Sequence, residues 1–153
     1  MMLCAHQPAY LPWLGYFDKI MHSDIFIFLD TVQFEKNSYV NRNKIKGPNG
    51  IFWLTIPIKQ REHLYTPLNE ILIDNSKNWK HKHLTSIMMC YKKALFFHIN
   101  YQKLLDLYNN KNYTKLVDLC WDQLIFWMKE FHITTKIVKL SELHIKEKNQ
   151  ILY

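Results

Sequence analysis

The stretch MLCAHQPAYLPWLGYFDKIMHSDIFIFLD, Met2 to Asp30, decides the fold of this chain. Met2–Ala5 is a short apolar run that stops at His6, which suits a buried first strand. Pro8 and Pro12 bracket an extended loop, because proline fixes its own φ and pushes its predecessor out of the helical region. A helix follows, with Pro12 at or just before its first turn. Leu14, Phe17, Ile20 and Met21 fall on one face of it, and Asp18, Lys19 and His22 on the other. Ser23-Asp24 ends the helix, and Ile25–Leu29 is continuously apolar, as expected of a strand covered on both faces. So short a strand–helix–strand run makes a βαβ unit, whose two strands are expected to be parallel with a right-handed crossover.

Beyond this unit the pattern changes. Residues 31–50 carry no convincing period and end in the turn Gly47-Pro48-Asn49-Gly50. Phe52–Ile58 alternates, with Phe52, Leu54, Ile56 and Ile58 on one side and Trp53 and Thr55 on the other, so it reads as a strand. Pro57 places the end of that strand near an edge. Lys59–Pro67 reads as a polar loop and Glu70–Ile73 as a further short strand. Asp74-Asn75-Ser76 is a helix start, after which Trp79, His83, Ile87, Tyr91 and Ala94 keep helical spacing. Two more helices are expected, over Phe97–Tyr108 and Tyr113–Phe131, then a last strand over Thr134–Leu140 and a turn at Ser141-Glu142. The apolar end Ile151-Leu152-Tyr153 has no cap. The fold class read from this order is α/β: a three-layer domain, residues 1–153, with a largely parallel sheet, an N-terminal βαβ unit and a helical second half.

Composition narrows the function classes. With 153 residues, 48% hydrophobic and 22% charged, the chain is long and apolar enough for one real core. Its three glycines leave no room for a glycine-rich phosphate loop. The formal charge of +7 is compatible with anionic partners, yet the cations are scattered, so a basic solvated surface explains them better than nucleic acid does. Cys4, Cys90 and Cys120 are odd in number and far apart, which argues for reduced thiols in the cytoplasm. The start MMLCAHQP lacks a signal-peptide pattern, and no apolar run is long enough for a transmembrane segment.

Polar groups concentrate between His6 and Lys46. In a parallel sheet, ligands bind outside the carboxyl ends of the strands, where His6 and Asp30 both fall. His6 is the candidate acid or base and Asp30 the group that orients it or the substrate. Gln7, Tyr10, Gln33, Lys36, Asn41, Arg42, Asn43 and Lys44 are the candidate substrate-binding residues. Asn41 and Asn43 alternate with Arg42 and Lys44, so in extended form carboxamides share one side and cations the other. Carboxamides suit sugar hydroxyls, and a guanidinium suits an anionic group. Lys59 and Arg61 are further candidates for an anion site, or coat an edge strand. His81 and His83 point to nearly opposite sides of a helix among lysines, so no metal site is expected there. The residues identify no cofactor.

HQPAYLPWLGYFDKI, FLDTVQFEKNSYVNRNKIKGPNGIFWLTIPI, WKHKHLTSIMMCYKKALFF and ITTKIVKLSEL together resemble the WbqC-like family along essentially the whole chain. The resemblance implies a role in bacterial surface-polysaccharide (O-antigen) biosynthesis. It also places His6, Gln7, Pro8, Tyr10, Pro12, Gly15, Asp30, Gln33, Lys36, Asn41, Arg42 and Lys44 at family motif positions. Members usually run longer, so the resemblance implies a truncated member or a split one, whose missing carboxyl-terminal segment a second chain supplies. A weaker likeness, to nucleotidyltransferases with a paired-histidine HxGH motif, puts Trp13-Leu14-Gly15-Tyr16 at that motif with both histidines missing. The expectation is a cytoplasmic transferase moving an acyl or aminoacyl group to an activated or amino sugar. The rivals are a non-catalytic nucleotide- or glycan-binding module or split-enzyme subunit, and a nucleotidyltransferase-like fold without its motif.

Overall fold

The computed structural model describes residues 1–59 and 66–143. Strand β1 (Leu3–His6), helix α1 (Leu14–Met21) and strand β2 (Ile25–Phe28) form the N-terminal unit. β1 and β2 are parallel, with Leu3 opposite Ile25 and His6 opposite Phe28. The chain then forms an antiparallel hairpin, β3 (Arg42–Gly47) and β4 (Gly50–Thr55). Three helices follow: α2 (Trp79–Tyr91), α3 (Phe97–Asn109) and α4 (Leu116–Glu130). Strand β5 (Lys136–Lys139) returns parallel to the far side of β2, so the sheet order is β1-β2-β5. A parallel three-stranded sheet with four helices is the mixed α/β architecture expected from the sequence. No helix among the described residues is long and apolar enough to cross a membrane.

Alternation sorts the sheet residues. On the inner face Phe26 meets Tyr16 of α1, and Phe28 meets Trp121 of α4, with ring centroids 5.6 and 5.1 Å apart. Both phenylalanines are fully buried. Their alternates Ile25 and Ile27 are only half-buried and stand outside the hydrophobic core, as do Leu3, Ala5 and Val138 on the same outward face. Among the described residues, the cover expected on both faces of β2 is found on one. The described residues supply cover on the Phe26/Phe28 side, and an apolar run cannot say which faces its neighbours fill.

Other expectations shift locally. α1 begins at Leu14, and its buried face is Tyr16, Phe17 and Ile20, while Leu14 and Met21 are exposed. Tyr16 takes the inward place because its ring packs on Phe26 and its hydroxyl donates to the Gln7 carbonyl at 3.1 Å. The segment without a period contains β3, which has one buried apolar residue, Ile45, and is ordered by pairing with β4. Glu70–Ile73 is not a strand: a 3-10 turn (Leu68–Glu70) leads into isolated bridges from Leu72 to Lys115 and Ile73 to Ile58. Asp74 accepts from the Ser76 backbone and hydroxyl, an Asx turn that delays α2 to Trp79. Most of the Lys59–Pro67 loop, with Arg61, and the Ile151–Tyr153 end lie outside the described residues.

A buried polar chain ties the helices to the N-terminal loop. The Leu11 N–H donates to Gln123 Oε1 at 3.1 Å, and Gln123 Nε2 donates to the Tyr108 hydroxyl at 3.1 Å. Tyr108 and Tyr10 share a hydroxyl–hydroxyl bond of 2.5 Å, and Tyr10 lies 2.7 Å from His83 Nδ1. His83 Nε2 lies 3.2 Å from the Thr55 carbonyl, which can only accept. Neutral His83 therefore carries its proton on Nε2, and every donor in the chain points the same way. Burial lowers the pKa of His83 from 6.5 to about 4, opposed by the Thr55 bond, so the ring stays neutral. Burial also pushes the Tyr10 and Tyr108 hydroxyls far above their ordinary range.

Candidate functional site

Parallel pairing brings the ends of β1 and β2 out at one rim of the sheet, with His6 last in β1 and Asp30 two residues past β2. The Leu29 N–H donates to the His6 carbonyl at 3.0 Å, which fixes the two chain exits side by side. The two side chains have separate partners. His6 Nδ1 lies 2.9 Å from the Gln7 carbonyl, so in the neutral ring it is the protonated nitrogen, and the lone pair is on Nε2. Asp30 is 3% exposed, and its two oxygens accept from the Ser141 N–H at 2.9 Å and the Ser141 hydroxyl at 2.5 Å. The group orienting His6 is thus a backbone carbonyl, and Asp30 clamps the turn after β5.

Rings continue outward from His6. Its imidazole meets Trp13 edge-on at 5.6 Å and Tyr16 at 4.9 Å. Trp13 reaches Tyr39 at 6.0 Å, and Tyr39 reaches Trp53 at 5.5 Å. Trp13, Tyr39 and Trp53 are 45%, 44% and 38% exposed, so this is a half-open ledge rather than core. At its far end the Arg42 guanidinium lies 4.1 Å and the Lys44 ammonium 4.9 Å from the Trp53 ring centre. The β-strand period explains this placement, since Lys44 pairs directly with Trp53 and Arg42 lies two residues away on the same face.

The intervening carboxamides turn inward. Asn41 Nδ2 donates to the Ile56 carbonyl at 3.0 Å, and Asn43 Nδ2 donates to the Leu11 carbonyl at 2.5 Å. Asn43 Oδ1 accepts the Lys44 N–H at 2.7 Å. These side chains fasten the hairpin to the body of the protein. Tyr10 is fully buried in the His83 chain, and Gln7 is half-buried. Gln33 is exposed and bridges to Pro67.

Beside the ledge an open cleft of about 530 Å³ is lined by Lys36, Asn37, Asn41, Arg42 and Lys77, with Phe34, Ile56 and Ile58 as its apolar wall. Asp74 also lines it, its carboxyl held below its ordinary range by the Ser76 hydroxyl first, then by the Ser76 N–H and the nearby Lys77 and Lys59. Three cations against one carboxylate make the cleft net positive. Arg42 belongs to both places: it donates to the Asn37 carbonyl, and its Nε is buried without a hydrogen-bond partner. Among the described residues no group of three or more His, Cys, Asp or Glu side chains is arranged to hold a metal ion. Cys120 is buried, and burial pushes its thiol far above the range of a reactive cysteine.

Sequence reasoning missed Trp13, Tyr39, Trp53 and Lys77. Tyr39 had a signal, since it lies in the polar run Glu35–Lys44, and Trp53 had one in the alternation that sets it opposite Leu54 and Ile56. No single period marks the three rings because they come from a helix start, a loop and a hairpin.

Comparison with known proteins adds the following. The chain is 34% identical over 110 residues to an uncharacterized protein of Mycobacterium tuberculosis, an alignment covering 72% of this chain and 47% of that relative. The chain therefore spans about half the length of the curated relative it matches. No solved structure matches it. The WbqC-like family model matches residues 7–152, nearly the whole chain and every motif residue above except His6, and the chain belongs to the WbqC-like protein family.

Proposed function

We propose that this chain acts in surface-polysaccharide (O-antigen) biosynthesis, as a transferase placing an acyl or aminoacyl group on an activated, phosphate-bearing sugar. One observation carries the reading. An imidazole with a free lone pair and a pair of cations stand at the two ends of one exposed ring ledge. A guanidinium and an ammonium hold a phosphate by charge-assisted hydrogen bonds, and Lys36 and Lys77 in the adjoining cleft extend the positive field. His6 Nε2 takes the proton from the sugar hydroxyl or amine as its oxygen or nitrogen bonds to the acyl carbon. That proton then goes to the donor's leaving group as the old acyl bond breaks. Asp30 contributes by fixing the rim through Ser141.

The test is binding and turnover of sugar nucleotides with acyl donors by wild type and His6→Ala. Loss of one proton-transfer group is expected to lower kcat by about 10²–10⁴-fold with sugar-nucleotide affinity kept. Equal turnover in both overturns the assignment of His6. The second reading is a non-catalytic sugar-nucleotide-binding module, favoured by Asp30, whose two oxygens are engaged by Ser141 and not by His6. It predicts sugar-nucleotide binding with no turnover by this chain alone.

A further inference from the structure

We infer that the Trp13–Tyr39 part of the ledge is the platform for the sugar ring itself, the apolar face of a pyranose lying on the two rings beside His6. The inference rests on the phosphate-bearing sugar reading and adds which residues recognise the sugar. Three exposed large rings in contact are costly to leave in water, and each has a half-open side. Trp53 is already taken by cations, at 4.1 Å from Arg42 and 4.9 Å from Lys44, which leaves Trp13 and Tyr39 as the unoccupied surface. A pyranose presents C–H groups on one face, and these carry the partial positive charge that a ring face attracts, as a cation does. Charge decides the direction of the ligand: its phosphate belongs at Arg42 and Lys44, so its ring extends along Tyr39 toward Trp13. That direction puts the ring hydroxyls or amine at the imidazole, 5.6 Å from the Trp13 centre.

The Trp13 indole folds back over the first turn of α1, where a Cβ built at Gly15 would lie 3.0 Å from Trp13 Nε1, so a larger residue there displaces the ring by a few tenths of an ångström.

The experiment compares binding of glucose 1-phosphate and inorganic phosphate, followed by saturation-transfer NMR and isothermal titration. Wild type is expected to prefer glucose 1-phosphate by about tenfold or more, and Trp13→Ala and Tyr39→Ala to bring the two affinities together. Trp13→Phe, which keeps a ring, is expected to retain part of the preference. Arg42→Ala is expected to weaken both ligands in parallel. Equal affinities in wild type, or a preference untouched by Trp13→Ala and Tyr39→Ala, overturn the platform and leave the anion site standing. Failure of wild type to bind either ligand overturns both. Circular dichroism of each variant separates loss of a contact from loss of the fold.

Discussion

Both oxygens of Asp30 are engaged by Ser141, more than a hundred positions away in sequence. From the sequence Asp30 reads as a functional carboxylate at a ligand-binding rim, and the structure places it at that rim with its hydrogen-bonding capacity used internally. Removing it takes away two charge-assisted hydrogen bonds to exposed Ser141, a loss of roughly 2 kcal/mol. Asp30→Ala is therefore expected to lower the urea midpoint clearly, with Ser141→Ala losing about half as much, since its N–H can still donate. His6 and Gln7 show the complementary case. The residue beside His6 supplies its orienting group, but through a backbone carbonyl that no side-chain pattern announces. Gly15 belongs here too: Gly15→Ala is expected to shift the Trp13 indole by a few tenths of an ångström and blue- or red-shift its fluorescence with little change in Tm.

Among the elements, β2 and the hairpin divide what the sequence could tell. In β2 alternate residues have unequal surroundings although all are apolar. Phe28→Ala is expected to cost about 3–5 kcal/mol, because it opens a cavity against Trp121. Ile27→Thr on the outward face is expected to cost about 1 kcal/mol or less, and chemical denaturation of the two variants checks the contrast. In the hairpin, Gly50 holds φ at 122°, a conformation that L side chains rarely adopt. Space is open around it, so Gly50→Ala isolates backbone strain and is expected to destabilise by about 1–2 kcal/mol. β4 was legible because its residues alternate, and β3 was not, because Arg42, Asn43, Lys44 and Lys46 have weak strand preference. β3 forms because β4 offers it a ladder and Asn43 ties it to the N-terminal loop.

Across the whole molecule the chain from Leu11 through Gln123, Tyr108 and Tyr10 to His83 joins the N-terminal loop, three helices and β4. Its direction holds only while His83 is neutral. Protonation puts a hydrogen on Nδ1, turns Tyr10 into its acceptor, and leaves the Tyr108 hydroxyl proton without a place. With a folded pKa of about 4 against 6.5 unfolded, the unfolded chain binds the extra proton as pH falls through that window. Stability is full above 6.5, falls between 6.5 and about 4, and levels off below, for a total of about 3 kcal/mol. Urea unfolding against pH is expected to show this slope, and His83→Gln to remove one proton's worth of it.

The sequence by itself determined the βαβ unit, the helical second half, the α/β class and the family. Each of these is written in local periods, prolines and contiguous motifs, which need no knowledge of distant contacts. Tertiary structure alone decided which face of β2 is covered, that Asp30 serves Ser141, and that Tyr10 belongs to the interior. It also decided that Trp13, Tyr39 and Trp53 form one ledge between His6 and the cations. Those facts are pairings across turns and between elements, set by how faces come together in space, and residues that meet in this way share no spacing along the chain.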